Sequence, residues 1–144
     1  MGKYLIISLV FLLDIKVLAD PSGIINSINK QHTFNFITIE DGLSNNKVNV
    51  ICQDYMGYMW FGTSNGINKY NGYSISSYFY IEDDSTSLIH NTVYSLLLDS
   101  KDRFWIGTNG GLCYYDYNKN NFIRKAFVLD NKVLNPYIGA LRED

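Results

Sequence analysis

The sequence contains only two cysteines, and they are neither spaced as metal ligands nor placed in loops. Cys52 and Cys113 lie within apolar runs typical of strands, which favours buried free thiols over a disulfide. Charged residues are also few, at 18% with a net charge of −2, and they form no basic stripe. Direct contact with nucleic acid is therefore not expected.

The sequence also lacks the motifs of common catalytic sites. It has no G-x-x-x-x-G-K-[ST], G-x-S-x-G or H-E-x-x-H. His32 and His90 stand in polar segments, which predicts solvated loop positions. The acidic cluster Glu82-Asp83-Asp84 lacks the regular spacing of calcium ligands, so we interpret it as a solvated connector. We predict no catalytic residue, no metal site, no cofactor and no enzymatic activity in this chain.

One continuous apolar run stands out, and it lies near the N-terminus. Lys3 precedes an apolar segment over residues 4–13, and Val17-Leu18-Ala19 provides a small-x-small cleavage pattern. The apolar segment reaches about half the length that a membrane-spanning helix needs. We therefore predict a cleaved signal peptide over residues 1–19, export to the periplasm, and a linker over residues 20–32.

Aromatic residues are abundant, with twelve Tyr, eight Phe and two Trp. Aromatic side chains suit the half-buried surface of a pleated sheet. Eleven glycines, most of them beside Asn, Asp or Ser, supply turn positions. The composition therefore predicts many short strands joined by tight turns.

A repeat of 45 residues organises most of the chain. Residues 43–70 align with residues 88–115 without a gap, and nine of the 28 positions are identical. This period is typical of four-stranded propeller blades. We predict an all-β chain with two antiparallel β-propeller blades, at residues 43–87 and 88–132. A third repeat begins at residues 133–144 and stops before its Trp and Gly-Thr pair, so we expect an incomplete propeller.

Strand patterns are visible inside each repeat. Because both faces of the Tyr58 to Thr63 run are largely apolar, the sheet must be covered on both sides, as stacked blades are. A further strand, Thr33 to Ile39, is predicted within the segment 33–42, where it would close the ring by pairing with the last blade. The predicted blade strands are 48–53, 58–63, 67–70 and 74–80, and then 93–98, 103–108, 112–116 and 122–128.

The repeated residues are those that turns and blade packing require. We interpret the tryptophans as anchors between blades, and the strand glycines as positions where the next sheet approaches closely. In the second repeat Asp102 replaces the turn glycine, and we expect it to adopt the same left-handed conformation. The repeat signature consists of Asp54, Gly57, Trp60, Gly62, Thr63 and Gly66, followed by Asp99, Trp105, Gly107, Thr108 and Gly111.

These motifs, D-x-x-G-x-x-W-F-G-T at residues 54–63 and W-I-G-T at residues 105–108, closely resemble the two-component regulator propeller repeat. The resemblance covers residues 33–144. In that family such repeats form the extracytoplasmic sensor of hybrid two-component systems, in which a membrane helix leads to kinase, receiver and helix-turn-helix modules. The resemblance therefore implies a periplasmic sensor segment of an inner-membrane sensor histidine kinase.

The resemblance also implies partners. These are the remaining blades of the same protein, a second copy of the full-length sensor, and an oligosaccharide whose detection switches on polysaccharide-utilisation genes. The ligand-binding residues stay unknown. Tyr55, Tyr73 and Tyr117 fall in loops where their rings could stack on a sugar, with simple packing as the alternative. A scaffold propeller without a small ligand, a propeller enzyme and a non-functional truncated fragment stay open as other interpretations.

Overall fold

The computed structural model describes residues 36–144. The predicted signal peptide and linker therefore lie outside the described residues, as does His32. Among residues 36–144, no helix has both the length and the apolar character needed to cross a membrane.

Two four-stranded antiparallel sheets form the body of the described chain, and in each the strands are ordered as they follow in sequence. Each sheet is one blade, so the predicted all-β blade architecture is confirmed. The predicted and observed strands agree to within one or two residues, except at the end of β8. The first blade contains β1 (Val48–Gln53), β2 (Met59–Thr63), β3 (Gly66–Tyr70) and β4 (Ile75–Tyr78). The second contains β5 (Val93–Leu98), β6 (Phe104–Thr108), β7 (Gly111–Asp116) and β8 (Asn121–Lys125).

The first two strands of each blade pair with the same irregularity. The pairing of β1 with β2 is irregular between Val48 and Val50, and the pairing of β5 with β6 is irregular between Val93 and Ser95. These positions are 45 residues apart, so the irregularity belongs to the repeat. A bulge of this kind bends and twists the strand that carries it.

Close approach of the second blade explains a glycine in β2. A Cβ atom at Gly62 would lie 2.6 Å from a methyl carbon of Val93. A Cβ atom at Gly107 would lie 2.6 Å from a methyl carbon of Ile138. The prediction that the next sheet approaches closely is confirmed for Gly62. At Gly107 the neighbour is Ile138, which lies outside the strands and stands 45 residues after Val93.

The predicted strand over residues 33–42 is wrong in its described part. Residues 36–38 have no regular structure, and Ile39–Asp41 forms a short 3-10 helix. The side chain of Thr38 accepts a hydrogen bond from the backbone N–H of Glu40 (3.2 Å), and Asp41 accepts one from the backbone N–H of Thr38 (2.9 Å). This reciprocal cap favours a helical turn over an extended chain. The ring-closing role stays a prediction.

The predicted strand over residues 122–128 is too long. Strand β8 ends at Lys125, and the chain then forms a separate hairpin from β9 (Phe127–Leu129) and β10 (Lys132–Leu134). Asp130 and Asn131 form its two-residue turn and both have positive φ, at 49° and 59°. Two left-handed residues in a two-residue loop are typical of a type I′ hairpin turn.

The core of the fold lies in the seam between the two blades. Both sheets contribute to it, because one face of the first sheet packs against one face of the second sheet. The fully or almost fully buried members are Trp60, Ile67, Leu88, Val93, Phe104, Ile106, Cys113, Tyr115 and Phe122.

Candidate functional site

Trp60 lies at the centre of the seam. Its side chain is completely buried, and its ring centroid lies 5.0 Å from that of Phe104 and 4.8 Å from that of Tyr115, both in the second blade. The predicted role as an anchor between blades is confirmed for Trp60. Trp105 is only partly buried, and it lines a shallow cleft together with Leu141. Its anchoring role stays a prediction.

The turn aspartate of each repeat joins its hairpin to its tryptophan. In the first blade the Oδ1 atom of Asp54 accepts hydrogen bonds from two backbone N–H groups of its own turn. Its Oδ2 atom accepts a bond of 2.7 Å from Trp60 Nε1. Asp99 binds Trp105 Nε1 in the same way at 2.8 Å. One carboxylate therefore holds both the turn and the orientation of the indole.

The two aspartates differ in their further neighbours. Arg103 forms an ion pair of 2.7 Å with Asp99. Burial by itself would raise the pKa of Asp99, but hydrogen bonds from Trp105, Arg103 and the Lys101 amide outweigh burial and lower it. The two turns have similar backbone geometry, since Asp102 has φ 60° where Gly57 has φ 87°. The predicted left-handed conformation of Asp102 is confirmed.

A lysine in the seam was not foreseen from the sequence. The Nζ atom of Lys69 lies 5.1 Å from the ring centroids of Tyr58 and Tyr115, and 5.7 Å from that of Trp60. It also donates a hydrogen bond of 3.0 Å to the hydroxyl of Tyr115. Aromatic faces attract a cation electrostatically. Lys69 therefore links the two blades through aromatic rings and a tyrosine hydroxyl, and none of these contacts involves a carboxylate.

Tyrosine hydroxyls continue this network toward the β7–β8 turn. The hydroxyl of Tyr78 donates to the side chain of Asn120 at 2.9 Å, and the hydroxyl of Tyr115 binds the same oxygen. Burial, followed by the hydrogen bond with Tyr115, raises the pKa of Tyr78 to about 12. The network stays in its neutral hydroxyl form at physiological pH, which suits a structural seam rather than proton transfer.

The three loop tyrosines are not brought together as one sugar-binding surface. Tyr55 and Tyr117 meet with ring centroids 4.7 Å apart, at an interplanar angle of 63°. This edge-to-face contact is packing and does not make a flat platform. Tyr73 stands apart and is 96% exposed. Burial, followed by the nearby Asp54 carboxylate, raises the pKa of Tyr117.

The acidic connector shapes a turn. The Oδ1 atom of Asp84 accepts hydrogen bonds from the backbone N–H (2.8 Å) and hydroxyl (2.6 Å) of Thr86. These bonds lower the pKa of Asp84. Within residues 36–144 no group of three potential metal-ligating side chains occurs.

Arg124 attaches this connector to the outer strand of the second blade. Its Nη2 atom donates to the carbonyl oxygens of Asp84 (2.8 Å) and Leu88 (3.1 Å) and to the hydroxyl of Ser87 (2.9 Å). Its Nε atom donates to the carbonyl oxygen of Ser87 at 3.3 Å. A guanidinium presents several donors in a fixed plane, so one side chain can bind a whole turn of backbone.

A cleft opens beside Arg124, and His90 forms part of its wall. The cleft has a volume of about 580 Å³. It is lined by Tyr80, by residues of the first connector (residues 83–91), of the β6–β7 turn and of β8, and by the segment that follows β8. His90 is partly buried against Gly110, and its Nδ1 atom accepts a hydrogen bond of 3.0 Å from the backbone N–H of Thr92. The predicted loop position of His90 is confirmed, but the ring is only partly exposed because the connector folds back over the β6–β7 turn.

Both cysteines are free thiols, as predicted, although only Cys113 is fully buried. Burial raises the pKa of Cys113 to about 12. Cys52 is half-buried, and burial also raises the pKa of its thiol. Neither thiol has the electropositive, exposed surroundings of a reactive cysteine.

Known proteins resemble this chain over the same repeats. A family model described as "Two component regulator propeller" matches residues 42–65 and 87–110. Histidine kinase P4 of Formosa agariphila is 40% identical over 60 residues, which are 42% of this chain and 4% of that protein. The chain thus spans a small part of the curated relative that it matches.

Solved structures give the same result at the level of the fold. The extracellular domain of a hybrid two-component system of B. thetaiotaomicron superimposes with a TM-score of 0.62 at 30% identity, covering 72% of this chain and 15% of that one. The extracellular domain of another hybrid two-component system of that organism has a TM-score of 0.59 at 25% identity, with coverage of 73% and 15%. Residues 42–65 and 87–110 of this chain thus match the repeat of the two-component regulator propeller family twice, in register with the two blades.

Proposed function

We propose that this chain is a segment of the extracytoplasmic sensor of a hybrid two-component system, and that the sensor detects an oligosaccharide to control polysaccharide-utilisation genes. The observation that carries the proposal is the pair of propeller repeats, because they match the family model and resemble the extracellular domains of two hybrid systems. The similarity to a histidine kinase agrees with the same kind of protein. In this proposal the segment contributes no catalytic residue.

The partners follow from the architecture of a closed ring. Propellers close with about four to eight blades, so the two blades described here need further blades on either side. The apolar outer face of the first blade supports this need, since Ile51 is 55% exposed there. We propose that further blades of the same protein cover these faces, and that two copies of the complete sensor form a dimer.

Ligand detection is tested on the intact gene product in membranes. Oligosaccharides from plant, host and microbial glycans are added one by one, and autophosphorylation is followed with labelled ATP. We expect one glycan class to change the phosphorylation rate and to bind the exported region in calorimetry. Phosphorylation that ignores every glycan, together with flat calorimetric titrations, would favour the scaffold interpretation.

Export is tested separately. Fusion of alkaline phosphatase after residue 40 reports translocation, because this enzyme is active only where its disulfides form. The small-residue pattern before Asp20 and the apolar segment 4–13 support cleavage and translocation. We expect high phosphatase activity, and loss of that activity when residues 4–13 are deleted. Equal activity of both fusions would contradict a signal peptide.

A further inference from the structure

We propose that the cleft beside Arg124, named here the connector cleft, binds an oligosaccharide through an anionic group, either a carboxylate or a sulfate ester. This inference rests on the proposed function and adds to it the site and the chemical class of the ligand. The residues that carry the inference are Tyr80, His90, Arg124 and Asn135, all of which line the cleft.

The size of the cleft suits a small ligand. Its volume of about 580 Å³ falls within the range of about 300–1,000 Å³ that is common for ligand pockets. Its walls come from segments far apart in sequence, including Tyr80 before the first connector, Gly110 in the β6–β7 turn and Val133 in β10. Because separate segments converge there, the fold positions the wall residues relative to one another.

Arg124 provides a cation that is already held in place. Its Nε and Nη2 atoms are bound to the first connector, whereas Nη1 makes no hydrogen bond within the described part of the chain. A guanidinium group is a planar cation that presents several donors. A ligand that meets Nη1 therefore meets a charged donor whose side chain has lost its freedom already, which lowers the entropic cost of binding.

His90 provides a second donor. Because Nδ1 accepts the backbone N–H of Thr92, the neutral ring must carry its proton on Nε2. Among residues 36–144, Nε2 has no hydrogen-bond partner. The Nε2–H group is thus available to an acceptor on a ligand.

The charged side chains that line the cleft are basic, since Arg124 and Lys125 both line it. No aspartate or glutamate is among the residues that line it. Asp84, whose carboxylate interacts electrostatically with Arg124, is bound to Thr86 and lines a different cleft. A carboxylate or sulfate only accepts hydrogen bonds and carries a negative charge, which cationic side chains without a neighbouring carboxylate attract. The lining therefore favours an anion.

An aromatic and apolar surface completes the wall. Tyr80 is 43% exposed, and the guanidinium of Arg124 lies 5.6 Å from its ring centroid. Ile89 and Val133 add apolar surface to the same cleft. Large rings with a polar edge pack well against ligands that have both apolar and polar faces, as a saccharide ring does.

The blade architecture does not require this pair of donors. Forty-five residues earlier, Phe79 stands at the position of Arg124 and Asn45 at the position of His90. The first blade has the same four-stranded topology as the second. Arg124 and His90 are thus particular to the second repeat, although Arg124 also holds the connector.

The test compares anionic and neutral oligosaccharides on the intact gene product by calorimetry. The probes are trigalacturonate with neutral galactotriose, and a sulfated carrageenan tetrasaccharide with its desulfated form. An Arg124→Ala variant would release the connector, so the test uses two exposed positions instead. Asn135→Asp adds a carboxylate to the wall, and Tyr80→Ala removes the aromatic surface.

We expect at least one anionic probe to bind, and its neutral counterpart to bind at least ten-fold more weakly. Asn135→Asp should weaken the anionic probe about five-fold, the effect of one added charge near a solvated ion. Tyr80→Ala should weaken it about five-fold as well. The matched control is Asn118→Asp, the same change in an exposed turn at the opposite end of β7, which should leave binding unchanged.

Four results would overturn the inference. Equal binding of anionic and neutral probes removes the anionic class but leaves the sensor proposal standing. Tight binding that neither Asn135→Asp nor Tyr80→Ala alters places the ligand elsewhere, again without affecting the sensor proposal. If these probes do not bind while another glycan drives phosphorylation, the inference is wrong but the sensor proposal stands. If no glycan produces a response, both proposals are contradicted.

Discussion

The carboxylate of Asp54 is the feature whose replacement tests the blade architecture most directly. Its side chain is 4% exposed, and it accepts hydrogen bonds from the backbone N–H groups of Met56 (3.0 Å) and Tyr58 (2.9 Å). The third bond comes from Trp60 Nε1 at 2.7 Å. In Asp54→Asn the amide oxygen can still accept the two turn bonds, but the amide nitrogen then faces the indole N–H, donor against donor.

The expected loss follows from these bonds. A hydrogen bond to a charged group contributes about 1.5–3 kcal/mol, so Asp54→Asn should lower the free energy of unfolding by about 2 kcal/mol. Asp54→Ala leaves three donors without an acceptor and should cost about 4 kcal/mol. Urea unfolding at low protein concentration, followed by far-UV circular dichroism, measures both values.

A double-mutant cycle isolates the bond to the indole. In the Trp60→Phe background the donor is absent, so Asp54→Asn should cost about 1.5 kcal/mol less than it does in the parent chain. Asp116→Asn is the matched control, because Asp116 also accepts turn amides, from Asn118 (2.9 Å) and Lys119 (3.3 Å), through an oxygen that asparagine retains. A loss under 0.5 kcal/mol for Asp54→Asn, or strict additivity in the cycle, would refute the reasoning.

Three further predictions follow from the seam. Cys52 should react with an alkylating reagent before Cys113, because Cys113 is fully buried and its pKa is raised to about 12; equal labelling in peptide mass spectra would contradict this. Since the pKa of Tyr78 is raised to about 12 in the folded chain, above the value of about 10 in the unfolded chain, its contribution to stability is complete below pH 10 and is lost as the pH rises toward 12. Tyr78→Phe should therefore lose less stability over that interval in urea titrations, and an unchanged pH profile would count against the assignment. Gly62→Ala should lower the free energy of unfolding by about 2 kcal/mol, because the new Cβ atom would lie 2.6 Å from a methyl carbon of Val93. Val93→Ala should relieve part of that loss. Melting temperatures that change with neither substitution would exclude the contact.

The strands and turns of the blades were predictable because local rules determine them. Strand β1 was predicted with both ends correct, and the left-handed turn at Asp102 followed from its alignment with Gly57. Short strands bounded by turn residues have a strong period-2 signal, and a repeat presents that signal twice. The hairpin of β9 and β10 also had a local signal, since Asp130-Asn131 separates the apolar triplet Phe127–Leu129 from Lys132–Leu134. The predicted strand over residues 122–128 nevertheless ran into β9.

Residues that act across the seam could not be predicted in the same way. Lys69 follows the polar Asn68 in β3, and its three aromatic contacts come partly from a strand 46 positions away. Arg124 stands in a polar stretch of β8, and its partners lie 36–40 residues earlier. A single sequence carries no local pattern for such contacts, because they depend on how two sheets stack.

The sequence by itself determined the blade as the unit of structure, its length of 45 residues, and the aspartate, tryptophan and glycine positions that build it. These features follow from backbone conformation and from which side chains fit a sheet covered on both faces. Only the tertiary structure decided which faces meet, how Lys69 and the tyrosines fill the seam, and how Arg124 and His90 come to face one cleft. Contacts between blades join residues distant along the chain, and their geometry is set by the packing of whole sheets.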